Sequence, residues 1–431
     1  MVDRSRRLLL GAAIAAPVAA VVAAKPRQQH GAHDSYFRTL QGALQRAGLM
    51  RPTLVVDHAR LEHNIGRLKT HLPANKAYRI VAKSLPSMGL IDTIRAATGT
   101  NRLMSFHQPF LNTIGAHSND AQVLLGKPMP IGAAQTFFKD HRNAAFNPAT
   151  QIEWLIDTPQ RLREYAELAR ARQGEGLGPL QVNLELDVGL HRGGLRTTQE
   201  VAEVIRLIQA EPALRFSGYM GYEAHASKMP GLLGGPRKAL EKSMAYYADC
   251  VATARELYGA AFDPATLTLN AGGSSTYALY DESAPCNELA MGSGLVMPTD
   301  FDKPTLADHV PACFIATPVL KKLERTDLPG LESMTGLLRA WDPNTARAFY
   351  IYGGYWHANL ESPPGLQHNA IWGHSTNQEL LNGSVDVSLE VGDHVFLRPH
   401  QSEAVFLQFG DIAVYRDGDF IGSWPVFTPG A

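Results

Sequence analysis

Short apolar runs alternate with amphipathic stretches from about residue 53 onward. Aliphatic and β-branched residues cluster at Thr53–Asp57, Tyr78–Val81, Arg102–Phe106, Ala121–Leu125, Glu153–Ile156, Gln181–Leu186, Phe216–Tyr219, Leu267–Asn270 and Glu288–Met291, each of strand length. Between several of them, stretches such as Pro159–Arg172 and Thr198–Gln209 carry apolar residues near every third or fourth position, the period of a helix with one buried face. Strand, helix, strand repeated this way predicts a parallel sheet with helices outside it. Up to nine candidate strands favour an α/β eight-fold barrel, a (β/α)8 TIM barrel, over an open doubly wound sheet. After about Thr299 the texture changes. Phe349–Tyr352, Val385–Leu389, His394–Leu397, Ala404–Phe409, Ile412–Arg416 and Trp424–Phe427 read as short strands split by Asn-Gly, Gly-Asp and Asp-Gly turns. The pattern therefore predicts a barrel over 50–298 and a mostly β domain over 299–431. Upstream, Phe37, Leu40, Leu44 and Leu49 predict a short helix behind a polar linker, together spanning 25–49.

The first 24 residues read as an address. A charged head with Arg6 and Arg7, a short apolar core and small residues at Val22 and Ala24 fit a cleaved export signal of the twin-arginine type, and hence a periplasmic protein. No later apolar run is long enough to span a membrane.

Composition removes several classes of function. The chain has 431 residues, 45% apolar and 19% charged, a globular balance that excludes a mostly disordered protein. Lys plus Arg total 40 against 41 Asp plus Glu, so no net charge draws it to nucleic acid. Cys250, Cys286 and Cys313 form no Cys-x-x-Cys pair, which argues against a zinc ribbon or a disulfide scaffold. An oxidising compartment leaves room for one disulfide and one leftover cysteine.

Reactive groups of such a barrel belong at the C-terminal ends of its strands. Lys83 directly follows Tyr78–Ala82. Burial there disfavours its charged form and leaves an amine able to attack a carbonyl. Asn270-Ala-Gly-Gly-Ser-Ser-Thr276 and the smaller Met291-Gly-Ser-Gly294 follow two neighbouring strands. Their glycines and hydroxyls let backbone amides approach an anion. Arg192, beside two glycines in Asp187–Gly194, and Tyr222 and His225, in Gly221–His225, are candidate ring or substrate contacts. In Arg398-Pro-His-Gln-Ser-Glu403, His400 with Ser402 or Glu403 can face one site and hold a divalent ion, although one firm histidine is a thin ligand set. Tyr355, Trp356 and His357, after Gly353-Gly354, are loop aromatics that can wall a pocket.

Taken in order, Lys83, the Asp187–Gly194 loop, the 272–276 loop and the His-x-Ser of 400–402 resemble the pyridoxal-phosphate enzymes of alanine-racemase-like fold. Within these the sequence is most similar to the D-threonine aldolase and D-serine dehydratase branch, over about residues 50–415. The resemblance implies pyridoxal 5'-phosphate, an amino-acid substrate, a homodimer, and lyase activity on D-3-hydroxy amino acids. It gives Lys83 the place of the Schiff-base lysine and Arg192 that of the arginine on the cofactor ring. Gly272, Gly273, Ser274, Ser275, Gly292 and Ser293 take the places of the phosphate loops. His400 takes that of the first ligand of a manganese, zinc or magnesium ion. Two departures bear on the reaction. The second metal place is Ser402 rather than Cys or Asp, and Val81–Pro86 lacks the histidines common around the lyase lysine. A periplasmic racemase of the same fold, with Tyr355 or His357 as second base, is the alternative. The Gly-Tyr-x-Asp-Gly string of ordinary alanine racemases is absent. A third possibility is a cofactor-holding protein without turnover. The added β domain argues against it.

Overall fold

The computed structural model describes residues 25–428 apart from 175, 177, 328, 329, 331, 333 and 334, so the expected export signal lies outside the described residues. Eight parallel strands close a barrel in sequence order: β2 (Ala77–Val81), β3 (Arg102–Ser105), β4 (Gln122–Leu125), β5 (Ile152–Ile156), β6 (Leu180–Leu186), β7 (Leu214–Gly221), β8 (Thr268–Ala271) and β9 (Glu288–Met291). Closure is made by β9 against β2, with Ala77 opposite Glu288 and Ile80 opposite Met291. The strands are near-continuous apolar runs because both faces are covered, one by the barrel interior and one by helices. The helices at Pro159–Gln173 and Thr198–Gln209 bury Leu162, Tyr165 and Ala166, and Val201, Val204, Ile205 and Ile208, as their periodicity predicts.

The predicted ninth strand is real but lies outside the barrel. β1 (Thr53–Asp57) pairs in parallel with β16 (Ile412–Arg416), Val55 opposite Ala413. Its five residues are all buried, so it reads like a barrel strand in sequence.

The chain divides into two compact units. One holds 54–313, 399–417 and 421–428. The other holds 25–53, 314–398 and 418–420. The tail beyond 398 thus groups largely with the barrel rather than with the β domain expected over 299–431. The second unit is a largely antiparallel sheet. β10 (Cys313–Leu323) pairs with β11 (Arg347–Tyr352), β11 with β14 (Gln378–Gly383), and β14 with the two-residue β13 (Gln367–His368). β15 (His394–Pro399) pairs with both β10 and β12 (Ala358–Ser362). The helix Ser35–Arg46 is capped by Asp34, whose carboxylate accepts from the Phe37 amide, and it buries Phe37, Leu40 and Leu44 as expected.

Three local expectations fail for physical reasons. Ala404–Phe409 is a helical turn over Ser402–Val405 followed by a tighter one over Phe406–Gln408. Its buried positions, Ser402, Val405, Phe406 and Phe409, have helical spacing. Val385–Leu389 is a turn region rather than a strand, with Val387 in a single bridge to Gly31. The polar segment before Asp34 is built into the sheet unit: the Gln29 amide donates to Asn344 Oδ1 at 2.7 Å, and a Cβ on Gly31 would stand 1.6 Å from the Pro364 carbonyl oxygen. Cys250, Cys286 and Cys313 are buried and form no disulfide. Among the described residues no helix is long and apolar enough to cross a membrane.

The N-terminal end of the barrel interior is polar. Glu288 is fully buried and takes hydrogen bonds from Arg79 Nε and Nη2, Arg102 Nη1 at 2.7 Å and Asn270 Nδ2 at 2.8 Å. Glu153 accepts from Asn183, Ser217 and Thr268 across the same interior. Burial pushes both carboxyls up. At Glu288 the Arg79 and Arg102 guanidiniums outweigh burial and hold the group below the usual carboxylate range, whereas at Glu153 burial wins and the group is raised. Breaking a buried pair by removing one partner costs about 3–5 kcal/mol. Glu288→Gln is therefore expected to lower unfolding stability by about that amount. Glu153→Gln should cost less, because burial already favours its uncharged form. Urea denaturation of the two variants checks the ranking, and equal losses would count against it.

Candidate active site

Because the barrel strands are parallel, their C-terminal ends gather at one mouth, and the loops that follow them line a cavity of about 230 Å³. Lys83 enters from the tight turn Ala82–Ser84 that directly follows β2. Its Nζ lies 3.1 Å from Glu403 Oε1 and 4.8 Å from the centre of the Phe106 ring. The expected dryness is not met: the Lys83 side chain keeps 40% of its exposure. What positions the amine is a carboxylate. Glu403 also accepts from Ser84 Oγ at 3.3 Å and from Ser402 Oγ at 3.2 Å, so both its oxygens are committed on the Lys83 side.

Across the cavity, the Arg192 guanidinium sits 5.0 Å from the centre of the Tyr222 ring. The loop that delivers Arg192 is shaped by Asp187, whose carboxylate accepts from the Gly189 and His191 amides and from the His191 ring. Burial pushes Asp187 up, but these hydrogen bonds outweigh it and hold the group below the usual range. Burial raises Tyr222, so its phenol stays neutral.

The glycine loops behave as a cradle. The Gly292 and Gly294 amides both donate to Ser274 Oγ, at 3.4 and 3.0 Å. A Cβ on Gly273 would stand 2.7 Å from Tyr222, and one on Gly292 would stand 2.8 Å from the Val81 carbonyl oxygen. Only residues without side chains fit this wall. The loop is propped by Glu223, fully buried, which accepts from the Gly272 amide at 3.2 Å and from Thr276 Oγ1. Burial raises Glu223 against the pull of these hydrogen bonds.

The cavity thus gathers Lys83, Arg192, Tyr222, Gly272, Gly273, Ser274, Gly292, Ser293 and Glu403. Six other candidates do not line it. His225 lies with Asp187 and His191 on a second cavity, and its Nδ1 is buried without a hydrogen-bond partner. Ser275 lends its carbonyl to Thr305, and Ser402 supports Glu403. His400 Nδ1 faces Thr299 Oγ1 at 3.3 Å and Asp300 Oδ1 at 3.5 Å, while its neighbour Gln401 reaches the cavity. Tyr355 and His357 belong to the sheet unit.

Sequence reading missed Phe106, Asn270, Glu223 and Glu185. Glu223 stood between two residues that were singled out. Glu185 is an acidic residue inside an apolar strand, a legible oddity. Burial pushes it up to about 7 against the pull of Arg192.

A barrel with an amine at one strand end, a glycine-rich wall at two others and an arginine between them has the layout of barrels that take a phosphorylated ligand at this face. Residues 56–300 match the alanine racemase N-terminal domain family, and the chain belongs to that family. It is 29% identical over 143 residues to a 3-hydroxy-D-aspartate aldolase of Paracoccus denitrificans (strain Pd 1222), covering 33% of this chain and 35% of that protein. It is 27% identical over 162 residues to the biosynthetic alanine racemase of Escherichia coli (strain K12), covering 37% and 40%. The matches thus span well under half the length of these relatives. In fold it is similar to D-threonine aldolase from Filomicrobium marinum, with TM-score 0.68, 16% identity and coverage of 87% of this chain and 95% of the other. It is also similar to D-threo-3-hydroxyaspartate dehydratase from Delftia sp. HT23, with TM-score 0.65, 16% identity and coverage of 88% and 98%. The fold expected from sequence, a barrel with a mostly β partner, is the one observed.

Pyridoxal 5'-phosphate is the cofactor this fold family implies, and the residues present fit it. The glycine and serine wall of Gly272, Gly273, Ser274, Gly292 and Ser293 leaves room for a phosphate, Lys83 offers an amine, and Arg192 offers a guanidinium on the same cavity.

Glu185 gives a testable pH dependence. Its folded-state value lies above the ordinary one, so the stability it contributes is present at low pH and is lost as pH rises through about 7. Unfolding stability should therefore fall between about pH 5 and 8, and Glu185→Gln should flatten that fall. An unchanged slope in the variant would remove Glu185 as its source.

Proposed function

We propose that the protein is a pyridoxal-phosphate-dependent lyase acting on D-3-hydroxy amino acids, of the D-threonine aldolase or D-serine dehydratase type. The observation that carries the reading is the Lys83 amine, held by Glu403 on the cavity that Arg192 and the two glycine loops also line. The aldolase and dehydratase names among its structural neighbours support the class of reaction. We further infer export to the periplasm and a homodimer, as the sequence reading implies.

In this reading the cofactor supplies an electron sink for the bond broken at the substrate's Cα. The chain's own residues do the rest. Gly272, Gly273, Ser274, Gly292 and Ser293, with Ser275 behind them, would hold the phosphate end. Arg192, seated against neutral Tyr222, donates to the ring. Lys83 Nζ would hold the cofactor covalently and, when not so bonded, would be the amine placed to move a proton at the substrate's Cα. Glu403 keeps Lys83 oriented and can hold a proton at Oε1. His400 is assigned the β-hydroxyl, as its base or as first ligand of a divalent ion. Ser402 and Glu403, read from sequence as its fellow ligands, are engaged otherwise, Glu403 with Lys83 and Ser402 with Glu403.

The experiment is incubation of the cofactor-loaded protein, with manganese, on D-threonine, with products identified by mass spectrometry. Glycine and acetaldehyde make it an aldolase, and 2-oxobutyrate with ammonia makes it a dehydratase. Inversion at Cα with solvent hydrogen incorporated would overturn the lyase reading for the racemase. Lys83→Ala is expected to abolish covalent cofactor attachment, seen as loss of the visible absorbance band, together with turnover. His400→Ala should remove lyase activity with the cofactor retained. Full turnover in either variant sinks that residue's role.

A further inference from the structure

Outside the barrel, one group of side chains converges without a role in the reading above. His368 ends β13, Glu379 lies on β14, and His374 sits in the nine-residue connection between those strands. The hairpin register puts His368 opposite Leu381, so the connection must fold back to bring His374 to Glu379. Asn369 makes that turn. Its Oδ1 accepts from the Ile371 and Trp372 amides at 3.0 and 2.7 Å, its Nδ2 donates to Asn382 at 2.7 Å, and its carbonyl accepts from Gly373. Gly373 takes a φ of +66°, which only glycine adopts freely.

The result is two ring nitrogens on one oxygen. His368 Nδ1 is 3.0 Å and His374 Nδ1 2.5 Å from Glu379 Oε1. The three ligand atoms lie within 4.8 Å of one another. The Tyr355 amide holds the other carboxylate oxygen at 2.6 Å, and the Tyr355 ring stacks on His374 with centroids 4.9 Å apart. Both imidazoles are therefore oriented before any ligand arrives. Glu379 is 1% exposed, whereas the histidines keep 36% and 45%. A carboxylate that buried needs a positive partner. Among the described residues no lysine or arginine bonds to it. Its hydrogen-bond partners are the two imidazoles and one amide.

We propose that His368, His374 and Glu379 bind one divalent transition-metal ion of the zinc class, through both Nδ1 atoms and Oε1, with a fourth position open to water. Two imidazoles and a carboxylate are a borderline donor set that favours zinc over magnesium or calcium. Zinc bonds of about 2.0–2.1 Å in a tetrahedron separate ligand atoms by roughly 3.3 Å, so seating the ion needs the His374 ring to draw back by under about an ångström. The partly exposed histidines leave the open side to solvent. This site is distinct from the metal place that the sequence put at His400.

The test is metal uptake by the whole cofactor-loaded chain. The protein is stripped with a chelator, titrated with zinc sulfate against a chromophoric competitor, and analysed for bound metal. The wild type should take up one zinc per chain, and cobalt in its place should give visible bands of low-coordinate nitrogen and oxygen ligation. His374→Asn, on an exposed connection, and Glu379→Gln should each weaken zinc by about 100-fold or more, beyond the loss expected for an outer-shell partner. Zinc should raise the thermal midpoint of the wild type and not of these variants. His400→Ala should keep its zinc. Absence of stoichiometric uptake by the wild type overturns the proposal. So does full zinc affinity in His374→Asn, or loss of zinc in His400→Ala alone.

Discussion

The barrel depends on the charge arrangement buried at the N-terminal end of its interior. Arg79, fully buried and joined at Glu288 by the half-exposed Arg102, stands against two buried carboxyls, Glu288 and Glu153. Arg79 also donates to the carbonyls of Leu103 and Gln122. It therefore ties its own strand β2 to β9 through Glu288 and reaches the backbone of β3 and β4. A buried charge is tolerated only when its partners are fixed. Here they come from strands on both sides of the closing seam, so satisfying Arg79 and closing the barrel are one requirement.

That closure sets the chemistry at the other end. Once the register is fixed, the residues after β2, β6, β7, β8 and β9 reach one mouth without further instruction. Their roles then follow from local surroundings. Lys83 is held by a carboxylate from near the C-terminus, far away in sequence. Arg192 is delivered by a turn that Asp187 folds. Glu223 props the glycine loop from behind. Carboxylates thus appear three times as supports of the cavity's wall, and each is paired with a donor.

Much of this was legible because parallel barrels write themselves as apolar runs at regular intervals. Periodicity located all eight barrel strands. It could not separate them from Thr53–Asp57, since a strand buried on both faces looks alike wherever it pairs. Ala404–Phe409 misled for the opposite reason: its mixed apolar and polar residues fit a short strand, and only burial at helical spacing reveals the turn. Strand-end position brings Lys83, Arg192 and the glycine loops to one cavity, whereas His225, chosen by the same criterion, does not line it although Tyr222 does. His400 was chosen from its place between two C-terminal strands, and there its neighbour Gln401 lines the cavity instead. Glu379 with its histidines was not legible, because the hairpin that joins them rests on Asn369, a polar loop residue with no periodic signature.

The Ser274 hydroxyl joins two loops. It accepts from the Gly292 and Gly294 amides, so the loop after β8 is tied to the loop after β9 by one side chain rather than by strand pairing. Two glycine-rich segments that would otherwise be free to move are thereby held in one arrangement. A cavity walled this way keeps its shape without a ligand's help, so little conformational entropy would be lost when one is taken up.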